Sequence, residues 1–193
     1  VKEFGKIHKH ASGRNVVVLF LVTMSAYAWI LLVSIPAVLS EAPDLILFDM
    51  SPLGYSMDFA VTLLNGIGEE GRRTYIRHQL PVDFVYPGLF AVTYSLMLIW
   101  ALGKSFKETS KIFLMAIIPI AAGAFDYFEN LGIISMLITY PDLSPSIVLI
   151  SSIFSILKSL MTVAFYFILL YAFFVWGYGI WAQRVSGSDT PAT

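Results

Sequence analysis

The sequence predicts an all-α membrane protein: a four-transmembrane-helix antiparallel bundle with a long, partly helical outer loop. Three observations lead there. The 193 residues are 58% hydrophobic and only 13% charged, with a mean hydropathy of +0.77, against about 25% charged residues in a soluble domain. Four segments each carry the roughly 20 predominantly apolar residues that a bilayer crossing needs. The segments between them alternate between basic and acidic, as loops on opposite sides of a membrane do.

The first span is expected at about 15–38, with Pro36 near its outer end. It follows a basic head, Lys2 to Arg14, and the apolar run is too long for a signal-peptide core of about 7–15 residues, so it reads as a retained span. The second covers about 82–102 and ends at Gly103. The third covers about 112–139, with Pro119 inside and Pro141 beyond. The fourth covers about 145–182. It exceeds the bilayer core and should tilt or protrude. Residues 1–182 thus read as a single integral membrane domain. Residues 183–193, small and polar, read as a disordered tail.

Orientation follows from the loops. Lys2, Lys6, Lys9 and Arg14 precede the first span, and Lys104, Lys107 and Lys111 lie between the second and third. Glu41, Asp44, Asp49, Asp58, Glu69 and Glu70 outweigh three arginines between the first and second. Basic residues favour the cytoplasmic side. Both termini are therefore expected in the cytoplasm, in a membrane of the bacterial inner-membrane kind. The outer segment 40–80 is unusually apolar. Ser56 suits the N-cap of a short helix from Met57 to Asn65, which Gly66 and Gly68 would end. Residues 69–79 read as a second, polar helix leading to Pro81. A segment with this much Leu, Ile and Phe is expected to fold as a cap on the outer surface rather than stay disordered.

Composition also excludes functions. A net charge of −1 gives no basic footprint for nucleic acid. The absence of Cys removes disulfides, thiol redox chemistry and thiolate metal sites. His8, His10 and His78 all fall outside the spans, which leaves no buried imidazoles for haem or zinc. No Gly-rich dinucleotide fingerprint supports hydride transfer, and no cofactor is expected.

The chemistry should lie with Asp83, Asp126, Glu129 and Lys158, which fall within or at the end of apolar spans. A charge at the centre of a bilayer costs about 2.5–3.5 kcal/mol on insertion scales and marks a functional site by default. Asp126, Glu129 and Asn130 stand at i, i+3 and i+4 and share one helix face. Gly123 and Gly132 flank them and would let neighbouring helices approach closely. Asp83 opens the second span, and Pro87, lacking an amide proton, would free the Asp83 carbonyl. Tyr86 and Tyr94 add hydroxyls near it. Lys158 sits at a depth similar to the two acids, so a pair with Glu129 or Asp126 is expected. Ser151, Ser155, Ser159 and Thr162 form a polar stripe around it, continued by Tyr166. Arg73 and Arg77, one helical turn apart, suit lipid phosphate at the headgroup level, or neutralisation of Asp83, or a solvated face. The same charges would equally serve as buried pairs that only fix helix register.

Three strings carry a resemblance: Gly68-Glu69-Glu70-Gly71-Arg72-Arg73-Thr74-Tyr75, then Leu80-Pro81-Val82-Asp83-Phe84-Val85-Tyr86-Pro87, then Ala122-Gly123-Ala124-Phe125-Asp126-Tyr127-Phe128-Glu129-Asn130. Together they resemble a group of small four-span bacterial integral membrane proteins of unassigned function. The resemblance covers the middle of the chain and implies no reaction. The four-span layout with polar residues inside is also similar in outline to the sterol-isomerase and sigma-2-receptor superfamily, an analogy of layout rather than of motif.

The expected site is a polar pocket in the outer half of the membrane, walled by the second, third and fourth spans. It would bind, and be equipped to convert, a lipid-soluble molecule. Asp126 or Glu129 would exchange a proton, Asn130 would orient the substrate, Lys158 would keep one carboxylate ionised, and Asp83, Tyr86, Arg73 and Arg77 would bind. The expected partners are membrane lipids or that ligand. A second reading is a proton- or cation-coupled transporter or channel, which with four spans requires a homo-oligomer. A third is a structural or assembly subunit of a membrane complex. Hard-oxygen metal binding by the acids is opposed by the neighbouring Lys158.

Overall fold

The computed structural model describes residues 11–107 and 109–187. The basic residues before Ala11 and the last six residues, part of the expected tail, lie outside the described residues. Every regular element among those described is helical. Four helices are long and apolar enough to cross a membrane, the make-up of a multi-pass membrane protein. In chain order, α1 is Gly13–Val38, α2 is Met57–Gly66, α3 is Gly68–Leu102, α4 is Lys111–Thr139 and α5 is Pro145–Gly187. α1, α3, α4 and α5 run up and down in turn. The segment between α1 and α3, with α2 in it, covers one end of the bundle.

Local sequence accounts for the ends and irregularities. Ser12 caps α1 by accepting the Asn15 amide at 3.3 Å, and Ser56 caps α2 by accepting the Phe59 amide at 3.2 Å. Near its cap end α1 widens into a π-turn over Ile30–Ser34, two residues before Pro36. α3 does the same over Tyr75–Gln79, two residues before Pro81. A proline inside an α-helix withholds one amide and presses its ring on the carbonyl four residues back. Both helices answer with a wider turn, closed by Ile35 N–H donating to Ile30 O and by Leu80 N–H donating to Tyr75 O. Such insertions are a known way to absorb that clash. The two π-turns pack against each other.

This corrects one expected boundary. The polar helix at 69–79 and the span from 82 are one helix, because the π-turn carries the chain through Pro81 without a break. Gly68, at φ +65°, makes the left-handed corner between α2 and α3. α4 starts as a 3-10 turn over Lys111–Ala116 ahead of Pro119 and becomes α-helical from Ile117. α5 runs to Gly187, beyond the point where a disordered tail was expected to begin. Its 43 residues span about 64 Å at 1.5 Å per residue, far more than a hydrocarbon core of about 30 Å.

α4 lies at the centre, packed on both α3 and α5, while α1 packs on α3. Two apolar cores fill the interior. At the cap end, Leu47, Phe48, Leu63, Leu64 and Ile67 of the cap bury themselves against Tyr75, Leu80, Ile133 and Met136. The cap is thus an ordered part of the fold, as its apolar content requires. At the other end, Phe90, Tyr94, Leu98, Leu102, Phe113 and Phe165 form the second core. α1 and α5 turn apolar side chains outward, among them Leu32 at 76% exposure and Phe174 at 70%. Apolar surface on that scale suits lipid rather than water.

Candidate functional site

Between the two apolar cores lies a layer of buried polar side chains. Asp83, Asp126, Glu129, Asn130 and Gln79 are all buried there. α4 supplies Asp126, Glu129 and Asn130 from one face, as their spacing requires. The flanking glycines bring the neighbouring helices in. A Cβ on Gly123 would stand 2.7 Å from Pro87 O of α3, and one on Gly132 would stand 2.5 Å from Ser151 Cβ of α5. Any larger residue at either place would hold the helices apart.

Lys158 of α5 reaches into this layer and meets both acids. Its Nζ lies 3.2 Å from Asp126 Oδ1 and 2.6 Å from Glu129 Oε2. The first contact is a directed hydrogen bond, and the second is the shorter of the two ion pairs. Glu129 Oε1 is buried with no hydrogen-bond partner among the described residues. The expected pair is therefore a triad, one ammonium shared by two carboxyls.

Asn130 does something other than orient a substrate. Its Nδ2 donates to the Asp83 backbone carbonyl at 3.1 Å. In a regular helix that carbonyl would accept from residue 87, which is Pro87 and has no amide proton. The side chain of α4 replaces the missing bond, and α3 continues through Pro87 unbroken. Asn130 is fully buried and does not face the cavity described below.

The cap adds an acid that the sequence reading missed. Asp49 accepts from the Tyr75 hydroxyl through Oδ1 and from Gln79 Nε2 at 2.9 Å through Oδ2. Tyr75, Gln79 and Asp83 are four residues apart and form one stripe along α3. The only sequence signal is a single acid inside the apolar run Leu45-Ile46-Leu47-Phe48-Asp49-Met50. The serine stripe of α5 fastens the same loop. Ser151 Oγ bonds the Tyr55 hydroxyl at 2.7 Å and donates to Glu129 O at 3.0 Å. Ser152 Oγ accepts the Tyr55 amide at 2.8 Å, and Ser155 Oγ donates to Ser51 O at 3.0 Å. Burial, with the nearby Glu129 charge adding to it, pushes the Tyr55 hydroxyl above its ordinary pKa, so it stays a donor across the physiological range.

A cavity of about 360 Å³ lies against this layer. α1 lines it with Tyr27, Ile30, Leu31 and Ile35, three of which flank or belong to the π-turn. The cap contributes Asp49, Met50 and Pro52, and α3 contributes Asp83, Tyr86 and Phe90. α4 adds Asp126 beside Ala122 and Gly123, and α5 adds Lys158, Ser159, Thr162, Val163 and Tyr166. The acids Asp83 and Asp126 are only 5% and 7% exposed, whereas Tyr27, Met50, Val163 and Tyr166 lie at 38% to 51%. The cavity thus has a buried charged floor and an exposed rim, and it opens on the flank between α1 and α5. Tyr27 and Tyr86 stack on each other in its wall, 5.5 Å between ring centroids.

Of the expected site residues, Asp83, Asp126, Lys158 and Tyr86 face this cavity. Glu129 stands behind Lys158, and Asn130 supports the backbone. Arg73 and Arg77 are elsewhere. They face a separate shallow recess of about 200 Å³ with Glu70, Thr74 and His78, and among the described residues neither pairs with Asp83. The nearby Arg72 donates to Leu64 O at 2.6 Å and lies over the Tyr140 ring. In chemical terms, the cavity offers carboxyls able to hold or pass a proton, an ammonium that fixes two of the acids, and an aromatic rim. Compared with protein-family models, with curated proteins and with solved structures, the chain finds no match, so the reading of this site rests on its geometry.

Proposed function

We propose that this chain binds a lipid-soluble molecule in the cavity between α1 and α5, with proton exchange at Asp126, which faces the cavity, as the conversion for which the site is equipped and with Glu129 behind it on the same ammonium. One observation carries the reading: a cavity with a charged floor opens through an apolar flank that suits lipid. A molecule dissolved in the bilayer would enter sideways and place its polar end on the acids. The volume falls in the range of small-molecule sites, about 300–1,000 Å³. Asp126 faces the cavity while Glu129 is fully buried, and carboxyls in unlike surroundings can divide the roles of holding and giving a proton. The protein would be a multi-pass membrane protein with both termini in the cytoplasm, of the bacterial inner-membrane kind, its cap outside.

The transporter reading has less support. A relay needs titratable groups in succession across the membrane. Along the spans, no acid, base or histidine follows Asp126 and Lys158 towards the far end until Arg14, Lys104, Lys111 and Arg184. Packed aromatic and aliphatic side chains fill that half. Mass spectrometry of lipids extracted from the purified protein tests the proposal. A stoichiometric co-purifying molecule, lost when Val163→Trp narrows the mouth, is the expected result. A lipid-free protein that carries pH-driven flux in liposomes would replace this reading with the transporter.

A further inference from the structure

The function proposed above leaves one polar feature unused: the recess of about 200 Å³ formed by Glu70, Arg73, Thr74, Arg77 and His78 on α3. It lies on the outward side of the helix. Tyr75 and Gln79 of the same turns are buried against Asp49, whereas Arg73, Arg77 and His78 are exposed. The three neighbouring arginines differ in their engagement. Arg72 is held, since it donates to Leu64 O and lies over the Tyr140 ring. Among the described residues, neither Arg73 nor Arg77 enters an ion pair, although Glu70 lines the same recess. Two guanidiniums and one carboxylate, with His78 neutral, leave one positive charge without a counter-ion.

The depth of the recess selects the kind of anion. Tyr140 follows the last residue of α4, so its contact with Arg72 puts this turn of α3 level with the cap end of α4. At the other end of α3, Lys104 is exposed and lies over the Trp100 and Trp176 rings, the company of a residue at a membrane interface. From Arg77 to Lys104 the chain rises by about 40 Å at 1.5 Å per residue. A bilayer with both headgroup layers measures about 40–45 Å. The two bases thus match opposite headgroup layers. Beyond Arg77, towards the middle of the bilayer, the exposed side of α3 continues as Pro81, Val85 and Val92, an apolar surface that suits acyl chains. Guanidinium forks fit the oxygens of a phosphate.

We infer that this recess binds the phosphate of an anionic phospholipid in the leaflet on the cap side. Arg73 and Arg77 hold the phosphodiester, and the acyl chains lie along Val85 and Val92. A phosphodiester lipid whose headgroup carries no ammonium has one negative charge, which balances the surplus positive charge of the recess. Glu70 works against any further negative charge. The site is separate from the cavity between α1 and α5 and does not rest on the function proposed for it.

The test uses the full chain in micelles of a non-ionic detergent near neutral pH, with adducts counted by native mass spectrometry. The probes are phosphatidylglycerol, phosphatidylethanolamine and phosphatidylcholine with the same acyl chains, and inorganic phosphate. The wild type should bind phosphatidylglycerol about tenfold or more tightly than phosphatidylcholine, the scale of two arginine contacts with an anionic lipid. Arg73→Gln combined with Arg77→Gln should abolish that preference. Lys107→Gln combined with Arg184→Gln, which removes the same charge far from the recess, should keep it, as should Val163→Trp in the cavity. Glu70→Gln should tighten phosphatidylglycerol binding by about twofold to fivefold, the worth of one exposed charge contact. Should the double arginine variant fail to fold, Glu70→Gln and the wild-type comparison still decide. Equal binding of phosphatidylglycerol and phosphatidylcholine, or a preference that survives the loss of both arginines, would overturn the inference. A preference lost in Val163→Trp would move the lipid to the cavity and overturn it too, with the proposed function left standing. Phosphatidylethanolamine bound as tightly as phosphatidylglycerol, and weakened by Glu70→Gln, would show a zwitterion gripped at both ends and refute the anionic lipid. Inorganic phosphate bound as tightly as phosphatidylglycerol would mean a soluble anion and refute the lipid.

Discussion

Replacing Lys158 by Met leaves two buried carboxyls facing each other without their shared cation. The structure sets the scale of that change. At an effective dielectric of about 20, charges separated by 2.6 Å and 3.2 Å attract by roughly 6 and 5 kcal/mol. Repulsion between the two acids and the cost of burying all three groups cancel much of this. The usual net penalty for removing one partner of a buried pair is about 3–5 kcal/mol, and the side-chain exposures of 15% for Lys158, 10% for Asp126 and 0% for Glu129 put the triad in that class. Lys158→Met should therefore lower stability by about 3–5 kcal/mol in a reversible unfolding titration with a denaturing detergent in mixed micelles. Adding Asp126→Asn and Glu129→Gln to Lys158→Met removes every charge of the triad while nearly keeping its shape, and should bring stability back to within about 1 kcal/mol of the wild type. A loss below about 1 kcal/mol for Lys158→Met, or a triple variant no more stable than the single one, would refute the buried triad. The triple variant also separates architecture from function. If it folds and still binds its co-purifying molecule in full, the charges served only helix packing, and the enzyme and relay readings fall together.

Asn130→Leu should cost about 1–3 kcal/mol, because the Asp83 carbonyl is then left unpaired in the interior. Adding Pro87→Ala supplies the missing amide and should recover most of that loss in the same titration, whereas no recovery would mean that Asn130 matters for another reason. Gly132→Val should destabilise by about 1–3 kcal/mol, since its Cβ would meet Ser151 of α5 at 2.5 Å. Gly177→Val, where no atom lies within 4 Å of the added Cβ, is the control and should be near neutral. The natural chain has no Cys, so a single introduced one reports topology. An impermeant thiol reagent should label Asp58→Cys in the cap of intact cells and not Lys107→Cys between α3 and α4. The reverse pattern would invert the proposed orientation.

Hydropathy and loop charge were enough to read four long apolar helices and a partly helical cap, because lipid imposes a length and a composition on any spanning segment whatever its neighbours are. Spacing alone put Asp126, Glu129 and Asn130 on one face, and depth alone matched Lys158 to the two acids. These are properties of a single helix or of a distance along one, so they survive without tertiary information. The continuity of α3 was not legible. Pro81 reads as a boundary unless it is known that a π-turn precedes it, and the counterpart turn before Pro36 packs against that one only in the folded bundle. The work of Asn130 was half legible: Pro87 implied a free carbonyl at Asp83, but nothing local says which helix sends a side chain to take it. Asp49 was invisible as a site residue, since it is one acid in a loop until Tyr75 and Gln79 of a different element grip both its oxygens. For Arg73 and Arg77 the sequence left three settings open. Their spacing puts them on one recess, and the rotation of α3 about its axis, set by packing of Tyr75 and Leu80 in the cap core, turns that recess away from Asp83. A sequence fixes periodicity within an element, and only the docking of elements decides which faces meet.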